Sequence, residues 1–216
     1  SARCQMASCR SWRREHAKML HDLRQRSAPA TPLTLASHRV HEAGGRGRRG
    51  FALFQTLRHL GPVVWIVPDH VPERPLLAGL PDGLGERLIL LTPKGATDLL
   101  WSVEEALRAA PVGLVIAEPQ AALTLTEGRR LQLAAEAGQT TGLMLIREGE
   151  GCPASETRWN CEPAAGPSDS TLQRWSLSKN KKGTNGEWVI NWNGAAAAFH
   201  MVSEASERRE PQTAPG

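Results

Sequence analysis

The chain has 216 residues, 40% of them hydrophobic, and a formal net charge of +4. That length suits one ordinary domain with a single sizeable core and some loose ends. No apolar run approaches the ~20 residues of a membrane helix, and the start lacks a continuous apolar signal region, so a cytoplasmic protein without membrane contact is expected.

Charge separates the first element from the rest. Residues 1–50 hold eleven Lys and Arg against three acids, a balance of +8, and the other 166 hold fifteen against nineteen, a balance of −4. A basic N-terminal arm over residues 1–35 fits an anionic partner such as DNA. It fits equally well a partly disordered tail that is basic through codon bias alone. Within it, Arg10–Arg26 has Trp12, His16, Met19, Leu20 and Leu23 near one helical face. Residues 27–36 read as a linker.

Next comes Gly45-Arg46-Gly47-Arg48-Arg49-Gly50-Phe51-Ala52. Two glycines separated by four residues, then Lys, then Ser or Thr, make a phosphate-binding loop. Both glycines are present. Phe51 stands at the lysine position and Ala52 at the hydroxyl position. An aromatic ring cannot neutralise a phosphate, and a methyl cannot ligate Mg²⁺. A helix is expected from Phe51 to Leu60, with Phe51, Phe54 and Leu57 inward, stopped by Gly61-Pro62.

Three β-branched or leucine-rich runs come after it: Val63–Val67, Leu88–Leu91 and Val112–Ala117. Leu143–Ile146 is a fourth. All read as strands buried on both faces. Thr97 is expected to cap a helix running to Ala110, and Thr124-Leu125-Thr126-Glu127 has the form of a capping box opening a helix that Gly138 ends. Alternation of strand and helix predicts a mostly parallel, covered sheet. Thr157–Cys161, Leu172–Ser178 and Glu187–Asn191 read as short strands, the last two closed into an antiparallel hairpin by Thr184-Asn185-Gly186. Glu148–Ser155 and Pro163–Ser170 read as loops. The polar stretch Ser203–Gly216 is expected to be a disordered tail, with the folded domain spanning 36–200.

No catalytic set emerges. Cys4, Cys9, Cys152 and Cys161 read as free thiols in a reducing compartment, and no metal and no cofactor are expected.

The order of these pieces resembles the RecA-like P-loop NTPase core: a glycine-rich loop and helix, a strand ending in Pro68-Asp69-His70, and a strand ending in Glu118. Ala121-Ala122-Leu123 and, late in the chain, Lys179-Asn180-Lys181 continue the pattern. Within that superfamily the chain most resembles the ImuA family. His41-Glu42, Gly61–Ile66, Leu99–Leu107, Leu131–Ala137, Thr141-Gly142-Leu143 and Thr157-Arg158-Trp159 carry the likeness, which covers residues 36–193. The resemblance implies an accessory role in error-prone lesion bypass beside ImuB, a polymerase-like protein without its own catalytic acids, an error-prone polymerase, and RecA. A SulA-like division inhibitor and a DNA-dependent ATPase are the alternatives.

On that reading Gly45, Arg46, Gly47, Arg48, Arg49 and Gly50 form a vestigial phosphate loop at a helix N-terminus, where N–H groups still favour an anion. The three arginines are candidates to replace the lost lysine. Glu118 takes the Walker B position, and Asp69 falls where RecA keeps its catalytic glutamate. The resemblance makes Lys179, Asn180 and Lys181 an interaction surface; solvated residues at a hairpin are nearly as good a reading. Trp159, Trp175, Trp188 and Trp192 are expected to supply packing volume rather than base stacking. The two loops that fall where RecA binds DNA lack Lys and Arg.

Overall fold

In the computed structural model the described residues are 33–75, 80, 83–166, 171–193 and 198–205, with 192–205 described for the backbone only. The expected helix at 10–26, Cys4, Cys9, the side chain of Trp192 and the chain beyond 205 lie outside them. The chain divides between Thr34 and Leu35, and every strand and helix among the described residues belongs to the larger unit.

The elements run β1 (Val40–Gly44), α1 (Arg48–Arg58), β2 (Val63–Ile66), β3 (Leu88–Leu91), α2 (Gly95–Arg108), β4 (Leu114–Ala117), α3 (Leu125–Gly138), β5 (Thr141–Leu145), β6 (Thr157–Pro163), β7 (Leu172–Asn180), β8 (Gly186–Asn193) and β9 (Ala198–Ala205). They form one nine-stranded sheet in the order β3-β2-β4-β5-β1-β6-β7-β8-β9. The run from β3 to β6 is parallel, and β6 to β9 is antiparallel. The expected α/β class and C-terminal hairpin are both present.

Strand pleating sends alternate residues to opposite faces. Val64, Ile66, Val115, Ala117 and Met144 meet Leu99, Val103 and Leu107 of α2 and Leu131, Ala134 and Ala135 of α3 in one apolar layer. Helix α1 contributes nothing to that layer; it packs on β1, β5 and β6. The capping box is complete: Thr124 accepts from the Glu127 N–H, and the Glu127 carboxylate accepts from the Thr124 N–H at 2.8 Å.

Several expectations need correction. Strand β3 is not buried on both faces. Among the described residues it has only β2 beside it, and Ile89, Leu90 and Leu91 are exposed. Helix α1 starts at Arg48 and turns Phe51, Ala52, Gln55 and Thr56 inward, while Phe54 and Leu57 are only half-buried. Helix α2 begins at Gly95 with Lys94 as its N-cap, so Thr97 caps nothing. Gly138 does not end α3 as a left-handed cap; Gln139 takes that conformation at φ 57°. Gly138 is needed for close approach instead, because a Cβ there would collide with the Leu107 carbonyl at the end of α2. Strand β9 has no counterpart among the expected strands, and it runs to Ala205, inside the stretch read as a tail.

Candidate functional site

The glycine loop joins the carboxyl end of β1 to the start of α1, the position from which a phosphate loop presents its N–H groups. Gly45 turns the chain at φ +85°. A Cβ there would strike the Cys161 carbonyl of β6, so the loop is pressed directly onto that strand. Several of its donors are already used. Gly47 N–H donates to Cys161 O at 2.7 Å. Arg46 N–H donates to Glu162 Oε1 at 3.2 Å, and Arg46 Nε to Glu162 Oε2 at 3.1 Å. A protein carboxylate thus stands against the loop where an external anion would bind. Arg48 Nη1 donates to Gly45 O at 3.0 Å, closing the loop on itself. The Gln173 side chain of β7 roofs it: a Cβ at Gly50 would meet Gln173 Nε2 at 2.7 Å.

Arg49 points the other way. Its Nε lies 3.0 Å from Glu118 Oε1 and its Nη2 2.8 Å from Oε2, a forked carboxylate contact. Trp65 Nε1 adds a third donor to Glu118 Oε1 at 3.0 Å. Glu118 is 4% exposed, and these donors match the hydrogen-bonding that a buried carboxylate requires. The two groups best suited to a phosphate and its metal, a cation from the loop and an acid from β4, are bound to each other.

Phe51 is fully buried. Its ring centroid lies 5.0 Å from Trp159 and 5.0 Å from Trp175, the latter edge-on. Trp159 also contacts Trp188 at 5.6 Å. These are ordinary spacings for aromatic packing, so the three tryptophans are core, as expected. Ala52 is equally buried.

Asp69 sits in an exposed turn, 3.6 Å from the His70 ring. It forms no part of the cluster around Glu118.

At the end of β7, Lys179 and Lys181 turn back onto the loop between β5 and β6, while Asn180 faces the β7–β8 turn. Lys179 Nζ donates to Pro153 O at 2.7 Å and to Ser155 Oγ at 3.2 Å. Lys181 Nζ donates to Ala154 O at 2.8 Å, and Asn180 Nδ2 to Thr184 O at 3.1 Å. Burial, then the neighbouring Arg158 and Lys181, pulls the Lys179 ammonium below its ordinary range. The same loop is held from β1: Glu42 accepts from Cys152 N–H at 2.8 Å and from Arg158 Nε at 2.9 Å.

Beside Glu42, His41 is fully buried within a relay. Trp159 Nε1–H donates to Thr157 Oγ1 at 3.1 Å. His41 Nδ1 lies 2.7 Å from Thr157 Oγ1, and Nε2 lies 2.9 Å from Ala36 O. A carbonyl can only accept, which assigns the proton to Nε2 and makes Nδ1 the acceptor of the Thr157 hydroxyl. Desolvation pushes the ring pKa down to about 4. The roles of Glu162 and Glu42 had no local signal, because their partners lie more than a hundred residues away in the chain.

No family model matches the chain. Protein ImuA of Caulobacter vibrioides, matched in two strains, is 30% identical to it across 79% of this chain and 81% of that protein. At that identity and coverage the chain belongs to the ImuA family.

Proposed function

We propose that this protein is a catalytically silent, RecA-like accessory protein of damage-inducible translesion synthesis and mutagenesis. On this reading it is an adaptor or regulator for an ImuB-like polymerase homologue and an error-prone polymerase. RecA is a further partner, and the setting is cytoplasmic. Family membership supports the process. A glycine loop between the first strand and helix of a parallel sheet, with an acid at the end of β4 beside it, supports the RecA-like kinship.

The observation that carries the silent reading is the Arg49–Glu118 pair, closed over by Trp65. Two of the loop's N–H groups are engaged by Cys161 and Glu162, and Phe51, at the lysine position, is sealed between tryptophans, which supports the loss of triphosphate binding. Titration calorimetry with Mg²⁺·ATP, alongside an ATPase assay with and without single-stranded DNA, is expected to give no heat of binding and no turnover. Micromolar binding with turnover would sink this reading in favour of a DNA-dependent ATPase. A deletion strain is expected to lose ultraviolet-induced mutation.

A further inference from the structure

Helix α3 leaves two leucines in solvent: Leu125 is 43% exposed and Leu133 65% exposed. They lie eight residues apart, two turns on one helix face, with Arg129 midway. Opposite them stand Pro153 and Ala154, and together these walls enclose a groove of about 410 Å³. That volume is in the range of pre-formed binding sites, about 300–1,000 Å³.

The groove is rigid. The Gln132 amide at its floor pairs with both backbone groups of Val40, at 3.1 Å and 3.0 Å, and donates to Ala154 O at 3.1 Å. Lys181 fastens the same carbonyl at 2.8 Å. A pre-formed site spends little of its binding energy on ordering itself.

Its charge is one-sided. Arg39, Arg129 and Lys181 line it, against Glu156 as the acid. Arg39 is paired outward with Glu136. Lys181 has one of its three protons engaged by the Ala154 carbonyl. Glu156 is 6% exposed, and its Oε1 receives no hydrogen bond among the described residues, with Lys182 Nζ at 3.7 Å.

We infer that this groove docks a segment of the ImuB-like partner: an apolar stretch carrying carboxylates. Its apolar side chains lie on Leu125, Leu133 and Pro153, and its carboxylates meet Arg129 and Lys181. Exposed leucines and a buried acid favour a peptide over a phosphate backbone, and the groove has no aromatic platform for bases. The inference rests on the adaptor reading.

The test uses the full chain and the ImuB-like protein encoded in the same genome, with affinity measured by biolayer interferometry. Leu133→Asp and Arg129→Glu change exposed side chains and are expected to leave the melting temperature unchanged. Each should weaken binding at least tenfold, and raising the salt should weaken the unaltered pair. Trp101→Asp, at the exposed Trp101 of α2, should leave affinity unchanged. Groove variants that bind within twofold of the parent overturn the inference alone. So does loss of oligonucleotide binding in those variants with partner binding intact. Failure of the unaltered chain to bind the ImuB-like protein overturns the adaptor reading and the inference together.

Discussion

Replacing Phe51 by lysine would give the glycine loop the residue that a phosphate loop carries at this position, and it is expected to destroy the fold before it creates a site. Phe51 is 0% exposed, with two indole rings at 5.0 Å. Truncating such a ring costs about 3–5 kcal/mol, of which each aromatic contact supplies about 0.5–1.5 kcal/mol. Phe51→Ala should therefore lower the melting temperature by roughly 6–20 °C, at about 2–4 °C per kcal/mol for a domain of this size. Phe51→Lys adds an ammonium with no acceptor beside the tryptophans, a further penalty of several kcal/mol. The sum approaches the ~5–15 kcal/mol that holds a domain together. Urea denaturation monitored by tryptophan fluorescence measures both variants, since Trp159 and Trp175 report directly on this contact. A Phe51→Lys protein within about 1 kcal/mol of the parent that also binds ATP would refute the reasoning, because it would mean that position 51 opens onto a phosphate site.

Arg49→Ala should cost about 1–3 kcal/mol by stranding the buried Glu118 carboxylate, and Glu118→Gln less; a double-mutant cycle that gives no coupling between the two would discount the pair. Stability should fall with acid between about pH 6.5 and 4. The unfolded chain protonates His41 below its ordinary pKa of 6.5 while the folded chain resists until about 4, so the unfolded state binds more protons in that window and the loss reaches about 3 kcal/mol at its foot. His59, also lowered by burial, acts in the same direction. Urea midpoints that stay level from about pH 7.5 to 5.5 would contradict this. Gly138→Ala should destabilise by more than the ordinary helix preference would allow, because the added methyl meets the Leu107 carbonyl; a neutral or stabilising result by thermal melt would show that α2 and α3 can separate freely there.

The parallel half of the sheet was legible because its strands are buried on both faces and read as unbroken apolar runs, as Val63–Ile66 and Leu114–Ala117 do. Strand β1 was not legible. Its His41 and Glu42 break the apolar run, yet all five residues are buried, and partners at Ala36, on β6 and in the loop after β5 make that burial tolerable. Strand β3 misled for the opposite reason: an edge strand with the composition of a central one carries no local mark of its place. At the site, the absence of a lysine and a hydroxyl is visible directly in residues 51 and 52. Nothing local hints that Arg49 turns to Glu118 or that Glu162 takes the loop's N–H, since such pairings are decided by strand order. Thr124 and Glu127 show the contrast, because a capping box is complete within four residues.

The Arg49–Glu118 contact also bears on how this corner of the molecule can change over many generations. Freeing Glu118 for a metal requires removing Arg49, which leaves a buried carboxylate without its counter-charge. Introducing a lysine at 51 requires vacating the space that Trp159 and Trp175 define, and a threonine at 52 must fit where the Cβ is already enclosed. Each step toward a working nucleotide loop lowers stability before any ligand can return it, so the steps act as a ratchet. Outward-facing positions such as Leu133 and Trp101 carry no such lock. Drift and selection are therefore channelled to the outer helices and away from the loop at Gly45–Gly50.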